Sequence, residues 1–158
     1  MITTWRGYGI FAFVIALLAM LTTLLPFCGK AHGAEQVNVG VVAPYVIRKD
    51  IGGIIGEYIL KYKGLEWTPI IVDGECNSSC TLVLANKHVC ATDRAFFYFH
   101  GAHNVNTGAP SPNGTALLWA RYPQKVQDWI TAHGGLTQKW IGAKATVFLP
   151  LCKDGKVS

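Results

Sequence analysis

The sequence predicts an α/β fold built from layers of helices and strands, and two observations carry this prediction. Apolar residues at helical spacing alternate along the chain with short apolar or aromatic runs that are typical of strands. The chain has 158 residues, which is enough for one domain of this kind. The predicted order is a valine-rich strand region at 37–47, a helix at 54–62, a strand at 68–72, a buried helix at 79–85, a strand at 95–99, a helix within 116–133 and a strand at 145–149.

Glycine, asparagine and proline mark the connections between these elements. Turns are predicted at 49–53 and at Asp73-Gly74, and a long loop is predicted at 101–115. Within 116–133, Pro123 fits the first turn of a helix, so the helix proper is expected to start near Tyr122.

The amino-terminal region has the layout of a secretory signal peptide. No residue between Arg6 and Lys30 is charged, and small residues follow this apolar stretch. The pattern predicts that residues 1–34 are a leader that is cleaved after Gly33 or Ala34.

The remaining residues, 35–158, are then predicted to be one exported α/β domain. The apolar run at 9–27 is also close to the length that spans a bilayer, so a leader that is not cleaved would anchor the protein to a membrane. We therefore expect a periplasmic or secreted protein, which is membrane-anchored if the leader is retained.

The charge of the chain argues against nucleic acid as a partner. Two of the 14 basic residues lie in the leader, and 9 acidic residues oppose the others, so the exported part has a net charge of about +3. It contains no basic run and no alternation of basic and aromatic residues, which are the usual marks of nucleic-acid binding.

The cysteines agree with export. Four of the five cysteines follow the leader, and an even number in a small exported domain predicts two disulfides. Three pairings are open. A zinc site that combines these cysteines with His88, His100 and His103 is the disfavoured alternative, because exported cysteines tend to oxidise. The four cysteines are Cys76, Cys80, Cys90 and Cys152.

Two serines lie where a strand leads through a glycine turn into the predicted buried helix. A serine at such a junction usually caps the helix. The free amides there can also bind an anion, so a nucleophilic Ser78 would gain part of an oxyanion hole from the N–H of Ser79. Gly52-Gly53 opens an earlier helix with bare amides, and His100 ends a strand 22 residues after Ser78. A serine, a histidine and two amide sources are the minimum set for acyl transfer.

Five short motifs follow one another in a recognisable order. They are Gly52-Gly53, the Cys-x-Ser-x-Cys-Thr segment at 76–81, the aromatic strand ending in Phe99-His100, the Trp-x-x-Tyr-Pro segment at 119–123 and the Gly-Gly-Leu-Thr segment at 134–137. Through these motifs and their order, the chain resembles the Clp protease proteolytic subunit of the crotonase-like superfamily. Within that superfamily it looks more like a group of small exported Clp-like proteins of bacteria. The resemblance covers residues 37–152 and implies a crotonase-like fold, with a short sheet wrapped by helices.

The resemblance also implies a role for each matching residue. Ser78 matches the nucleophile and His100 the general base, while Gly53 and Ser79 match the backbone donors of the oxyanion hole. The acid that orients the histidine is missing, because residues 137–151 contain no Asp or Glu. A Ser-His dyad could still work more slowly, since the third residue mainly sets the tautomer and charge of the imidazole. The substitutes, by position only, are Asp93, Asp128 and Asp154.

Two alternatives stay open for the catalytic residues. Ser79 could be the nucleophile instead of Ser78, and His103 could be the base instead of His100. If Ser78 is the nucleophile, Ser79→Ala is expected to change labelling by a serine-directed probe little, because the backbone N–H survives the change. The spacing of Trp119 and Trp129 favours the core, or a contact between subunits of a homo-oligomer, over a cofactor site.

The predicted function is therefore an exported serine peptidase or a related acyl hydrolase that acts on a peptide or protein. No cofactor is implied. The alternative is a catalytically silent Clp-like module that binds peptides or assembles on membranes. The missing acid favours this alternative, and the retained serine, histidine and glycines oppose it.

Overall fold

The sheet of the protein has β2 at its centre in a computed structural model that describes residues 42–153. Strand β1 runs parallel to β2 on one side. On the other side, β3 pairs in parallel with the first half of β2 and β4 with its second half, and β5 runs antiparallel to β4. The strands are β1 (Tyr45–Asp50), β2 (Ile70–Asn77), β3 (Val89–Ala91), β4 (Phe96–Phe99) and β5 (Ile141–Lys144).

Helices pack against this sheet and complete one hydrophobic core. The most buried is the 3-10 helix that follows β2, in which residues 79–84 are all buried. The core is filled mainly by aromatic and branched side chains, with Phe97 and Phe99 of β4 fully buried. The predicted α/β class is confirmed. The helices are α1 (Ile55–Gly64), the 3-10 helix Ser78–Ala85, α2 (Pro112–Trp119), α3 (Gln124–Ala132) and a short 3-10 turn, Ala145–Val147.

The predicted turn at Asp73-Gly74 is wrong, because β2 continues through it to Asn77. The glycine is needed for a close approach of two strands. A Cβ on Gly74 would lie 1.9 Å from the carbonyl oxygen of Arg48, beside an irregularity in the pairing of β1 with β2. A residue that usually marks a turn is here a point of strand contact.

The predicted strand at 145–149 is also misplaced. The strand is β5, four residues earlier, and it is followed by the 3-10 turn. The backbone N–H of Ala145 donates to the carbonyl of Ala95, which ends the pairing with β4. Strand β3 was not predicted. The helix predicted within 116–133 is two helices, α2 and α3, that are separated at Pro123.

Two disulfides confirm the prediction made from the cysteine count. Cys76 is bonded to Cys80, and Cys90 is bonded to Cys152. Such bonds persist in oxidising compartments, so they indicate an exported protein. Within residues 42–153, no helix is long and apolar enough to cross a membrane. The predictions for the leader at 1–34 and the run at 9–27 fall outside the described residues.

Candidate active site

Ser78 stands at the end of β2, where the strand turns into the 3-10 helix. Its φ is 55°, and it is the one described residue other than glycine with a positive φ. The disulfide between Cys76 and Cys80 closes a small loop around it. Both cysteines are fully buried. A serine in such a strained, tightly bridged position is typical of a functional site rather than of a simple helix cap.

His100 lies next to Ser78 because β2 and β4 are parallel neighbours. Asn77 of β2 pairs with Tyr98 of β4, so the residues that follow both strands emerge at the same edge of the sheet. The Nε2 atom of His100 lies 2.9 Å from Oγ of Ser78. The structure thus brings together the two residues that the sequence singled out, with a base within hydrogen-bond reach of a hydroxyl.

The environment favours the neutral form of the His100 imidazole. Burial lowers its pKa, and the nearby His103 adds to this effect, while a backbone hydrogen bond at Gly101 acts in the opposite direction. A neutral imidazole is the form that can accept a proton.

The Gly52-Gly53 turn lies directly against the serine. Gly52 has a φ of 81°, and a Cβ on it would lie 2.7 Å from the Cβ of Ser78 and 2.6 Å from the carbonyl oxygen of Asn77. Only glycine allows this approach. The turn and the serine therefore form one wall of the same site.

The side chain of Ser79 has a role that the sequence did not predict. Its hydroxyl is fully buried, accepts a hydrogen bond from the N–H of Gly53 at 2.8 Å and donates one to the carbonyl of Gly53 at 2.7 Å. These contacts give the side chain a structural role beside the backbone role that the resemblance implies. The Gly53 amide, the expected oxyanion donor, is occupied by this hydroxyl. The hydroxyl is directed at Gly53 and not at a histidine, which argues against Ser79 as the nucleophile.

Asp50 anchors the glycine turn from the other side and was missed at the sequence level. It accepts hydrogen bonds from the N–H of Gly52 at 2.9 Å, from the hydroxyl of Tyr58 and from Nζ of Lys61 at 3.1 Å. Burial alone would raise its pKa, but these donors outweigh burial and hold the pKa below its ordinary value. An acidic residue two positions before a Gly-Gly turn was the available signal.

Two motifs that are distant in the sequence meet beneath the serine. The hydroxyl of Thr81 donates to the carbonyl of Ser78 at 2.5 Å and lies 2.6 Å from the hydroxyl of Tyr122. Burial raises the pKa of Tyr122 to about 12. These neutral hydroxyls fix the backbone of the serine from the core side.

No carboxylate of the described residues is hydrogen-bonded or ion-paired to His100. Asp128 accepts a hydrogen bond from Gln124 on its own helix, and Asp93 is exposed next to Arg94. Asp154 falls outside the described residues. The two described substitutes are therefore not partners of the histidine.

An aromatic ring packs against His100 instead. The ring centroids of Trp140 and His100 are 3.9 Å apart, and those of His103 and His100 are 5.6 Å apart. His103 is exposed, and no hydrogen bond joins it to Ser78, which makes it a weaker candidate for the base.

A cleft of about 450 Å³ opens beside the Ser78–His100 pair. Its two titratable side chains are His100 and His103, and the rest of the lining is glycine, serine or apolar. None of the four described cysteines lines this cleft, and none can serve as a thiolate metal ligand, because all four are in disulfides. The apolar lining residues are Ile51, Ile54, Ile55, Ala102, Val105, Leu118 and Trp140.

Trp119 and Trp129 pack against the core, which is one of the two positions that their spacing predicts. Trp129 also stacks on His133, with ring centroids 3.9 Å apart.

A hydroxyl–imidazole pair beside a cleft occurs on several unrelated folds, so this geometry does not by itself assign a family. No protein-family model, curated protein or solved structure matches this chain at a significant level.

Proposed function

We propose that this protein is an exported, Clp-like serine peptidase or related acyl hydrolase with a crotonase-like fold. The single observation that carries the proposal is the 2.9 Å hydrogen bond between Oγ of Ser78 and Nε2 of His100. The positive φ of Ser78 supports it, because strained backbone is concentrated at functional sites. The disulfides support export to the periplasm or beyond the cell.

In the proposed reaction, Oγ of Ser78 attacks the carbonyl carbon of a peptide or ester bond while Nε2 of His100 takes the hydroxyl proton. The carbonyl oxygen becomes an oxyanion that the N–H groups of Ser79 and Gly53 stabilise. For Gly53, the N–H must exchange its bond to Ser79 for one to the oxyanion. The bond to the leaving group then breaks, and His100 gives it the proton. Water hydrolyses the acyl-enzyme, with His100 again as the base.

The cleft supports a peptide or protein substrate with an apolar side chain near the scissile bond. The two histidines are the only lining side chains of this cleft that can carry a charge, and they do so only when protonated. A charged substrate side chain would lose its hydration there without gaining a partner, which is costly.

The alternative function is a catalytically silent module that binds peptides in the same cleft. Two observations favour it: no carboxylate of residues 42–153 is hydrogen-bonded or ion-paired to His100, and the Ser79 hydroxyl occupies the amide of Gly53. Under this alternative the cleft binds a peptide but leaves it intact.

A fluorophosphonate probe distinguishes the two functions, because it reacts only with an activated serine. We expect the folded wild type to be labelled, Ser78→Ala to lose all labelling and His100→Ala to lose most of it. His88→Ala is the matched control, since this exposed histidine lies outside the cleft, and it should label normally. Labelling that survives in Ser78→Ala would contradict the assigned nucleophile. A folded wild type that is not labelled would favour the binding module.

A further inference from the structure

His100 and Trp140 form a cross-strand pair that the sequence does not reveal. In the antiparallel pairing of β4 with β5, Phe99 is opposite Ile141. His100 directly follows β4 and Trp140 directly precedes β5, so the two rings face one another where the ladder ends. Their centroids are 3.9 Å apart, with planes inclined by 38°. Directly opposed side chains in an antiparallel pair point to the same face of the sheet.

The segment that carries Trp140 is fixed to the backbone beside His100. The N–H of Gly101 donates to the carbonyl of Thr137 at 2.5 Å. The side-chain amide of Gln138 lies 3.4 Å from the carbonyl oxygens of Gly101 and Ala102. The indole is half exposed, at 50%, so it covers the imidazole on one side and meets water on the other. The backbone that carries the indole is therefore held beside the histidine.

An indole face can perform the electrostatic part of a carboxylate's task. A cation within about 6 Å of the ring centroid is attracted by the negative face of the ring, and tryptophan is the strongest of the aromatic side chains in this respect. The proposed reaction places a positive charge on His100 when the proton of Ser78 arrives there. Burial opposes that charge, and no carboxylate of the described residues offsets it.

We propose that Trp140 is a positioning residue that replaces the missing acid by holding the His100 imidazole toward Ser78 and stabilising its protonated form through the indole face. This inference rests on the proposed function for its role in the reaction. Its effect on His100 itself is independent of any activity.

Few other groups could account for a change in the titration of His100. His103 faces it from the loop after β4, and the hydroxyl of Ser78 faces it from the end of β2. The Gly52-Gly53 turn before α1 presents no titratable side chain to it, and α2 presents Leu118. A variant in the His103→Gln background therefore isolates the contribution of the indole.

The test compares Trp140→Phe with Trp140→Leu in the full-length protein, both with and without His103→Gln. Phenylalanine keeps an aromatic face, whereas leucine keeps only apolar cover. Both side chains cover the imidazole, so the two variants differ mainly in the aromatic face. The titration of His100 is followed by NMR at its Cε1–H signal, assigned with His100→Asn. The rate of fluorophosphonate labelling is measured on the same samples across pH.

Trp140→Leu should move the His100 titration midpoint about 0.5–1 pH unit lower and slow labelling about 3- to 10-fold at the pH plateau. Trp140→Phe should recover at least half of both effects. An unchanged midpoint in Trp140→Leu would overturn the inference, and so would a Phe variant as impaired as the Leu variant. If the midpoint moves as expected but even the wild type is not labelled, the proposed function fails while the indole–imidazole interaction stands.

Discussion

The hydroxyl of Ser79 lies 2.8 Å from the backbone nitrogen of Gly53 and 2.7 Å from its carbonyl oxygen, so one buried side chain binds both polar groups of that glycine. This contact joins the first turn of the 3-10 helix to the turn before α1. The two neighbouring serines thus have different roles: Ser78 faces His100, and Ser79 holds the Gly52-Gly53 turn in place.

Removal of the Ser79 hydroxyl should destabilise the fold. Ser79→Ala leaves both polar groups of Gly53 without this partner, and we expect the free energy of unfolding to fall by about 1–3 kcal/mol. Ser78→Ala is the matched control and should change it by only about 0.5 kcal/mol, because its side chain faces the cleft. Urea unfolding followed by circular dichroism measures both. Equal stability of the two variants would contradict the structural role of Ser79.

The positive φ of Ser78 predicts an unusual preference for glycine. An L-residue in the left-handed region is destabilised by about 1–2 kcal/mol, whereas glycine is not. Part of this gain is lost to the greater freedom of glycine in the unfolded chain. We expect Ser78→Gly to be more stable than Ser78→Ala by about 0.5–1 kcal/mol in urea unfolding. An alanine variant as stable as the glycine variant would show that the backbone there is not strained.

The two disulfides should differ in how much each contributes to stability and to labelling. Cys90 and Cys152 are 62 residues apart, so loss of their bond should destabilise the fold by about 4 kcal/mol in the chain-entropy model. Cys76 and Cys80 are 4 residues apart, and the same model gives about 2 kcal/mol.

The short bond encloses Ser78, so paired alanine variants should show a crossed pattern. Cys76→Ala with Cys80→Ala should lose most fluorophosphonate labelling, and Cys90→Ala with Cys152→Ala should keep it at temperatures where the protein is folded. Thiol titration of unfolded, unreduced protein should detect no free thiol among these four cysteines. Full labelling without the short bond would refute its role at the nucleophile.

The lowered pKa of His100 predicts the pH dependence of labelling. Burial, reinforced by His103, keeps the imidazole neutral to a lower pH than a free histidine, whose pKa is 6.5. The rate of labelling should therefore be half-maximal below pH 6.5. The same shift destabilises the fold as pH falls below 6.5, because the unfolded chain takes up the proton first. His103→Gln should move the midpoint upward, and a wild-type midpoint above 6.5 would contradict this account.

The carboxylate of Asp50 should stabilise the fold only when it is ionised. Its pKa is held below the ordinary value of 3.8, so its contribution is present above that pH and is lost as pH falls through its own lower pKa. Asp50→Asn weakens the contacts with Tyr58 and Lys61, and we expect a loss of about 1–2 kcal/mol at pH 6. Unfolding measured at pH 6 and below pH 3 should show this difference shrink. A difference that does not depend on pH would point to packing instead.

The sequence by itself determined the local features of the site. Helical spacing was enough for α1, and the aromatic run was enough for β4 and for His100 at its end. Serines at a strand-to-helix junction and a Gly-Gly turn were visible as patterns, because each depends on the conformation of only a few adjacent residues.

Only the tertiary structure decided which of these features meet. The pairing of Cys90 with Cys152, the passage of β2 through Gly74 and the contact of Ser79 with Gly53 all join segments that are distant in the chain. The partner of His100 follows from the register between β4 and β5, which sets Trp140 opposite it. A shift of one residue in that register would turn the indole to the other face of the sheet. Register is fixed by burial of the whole sheet, which no local pattern contains.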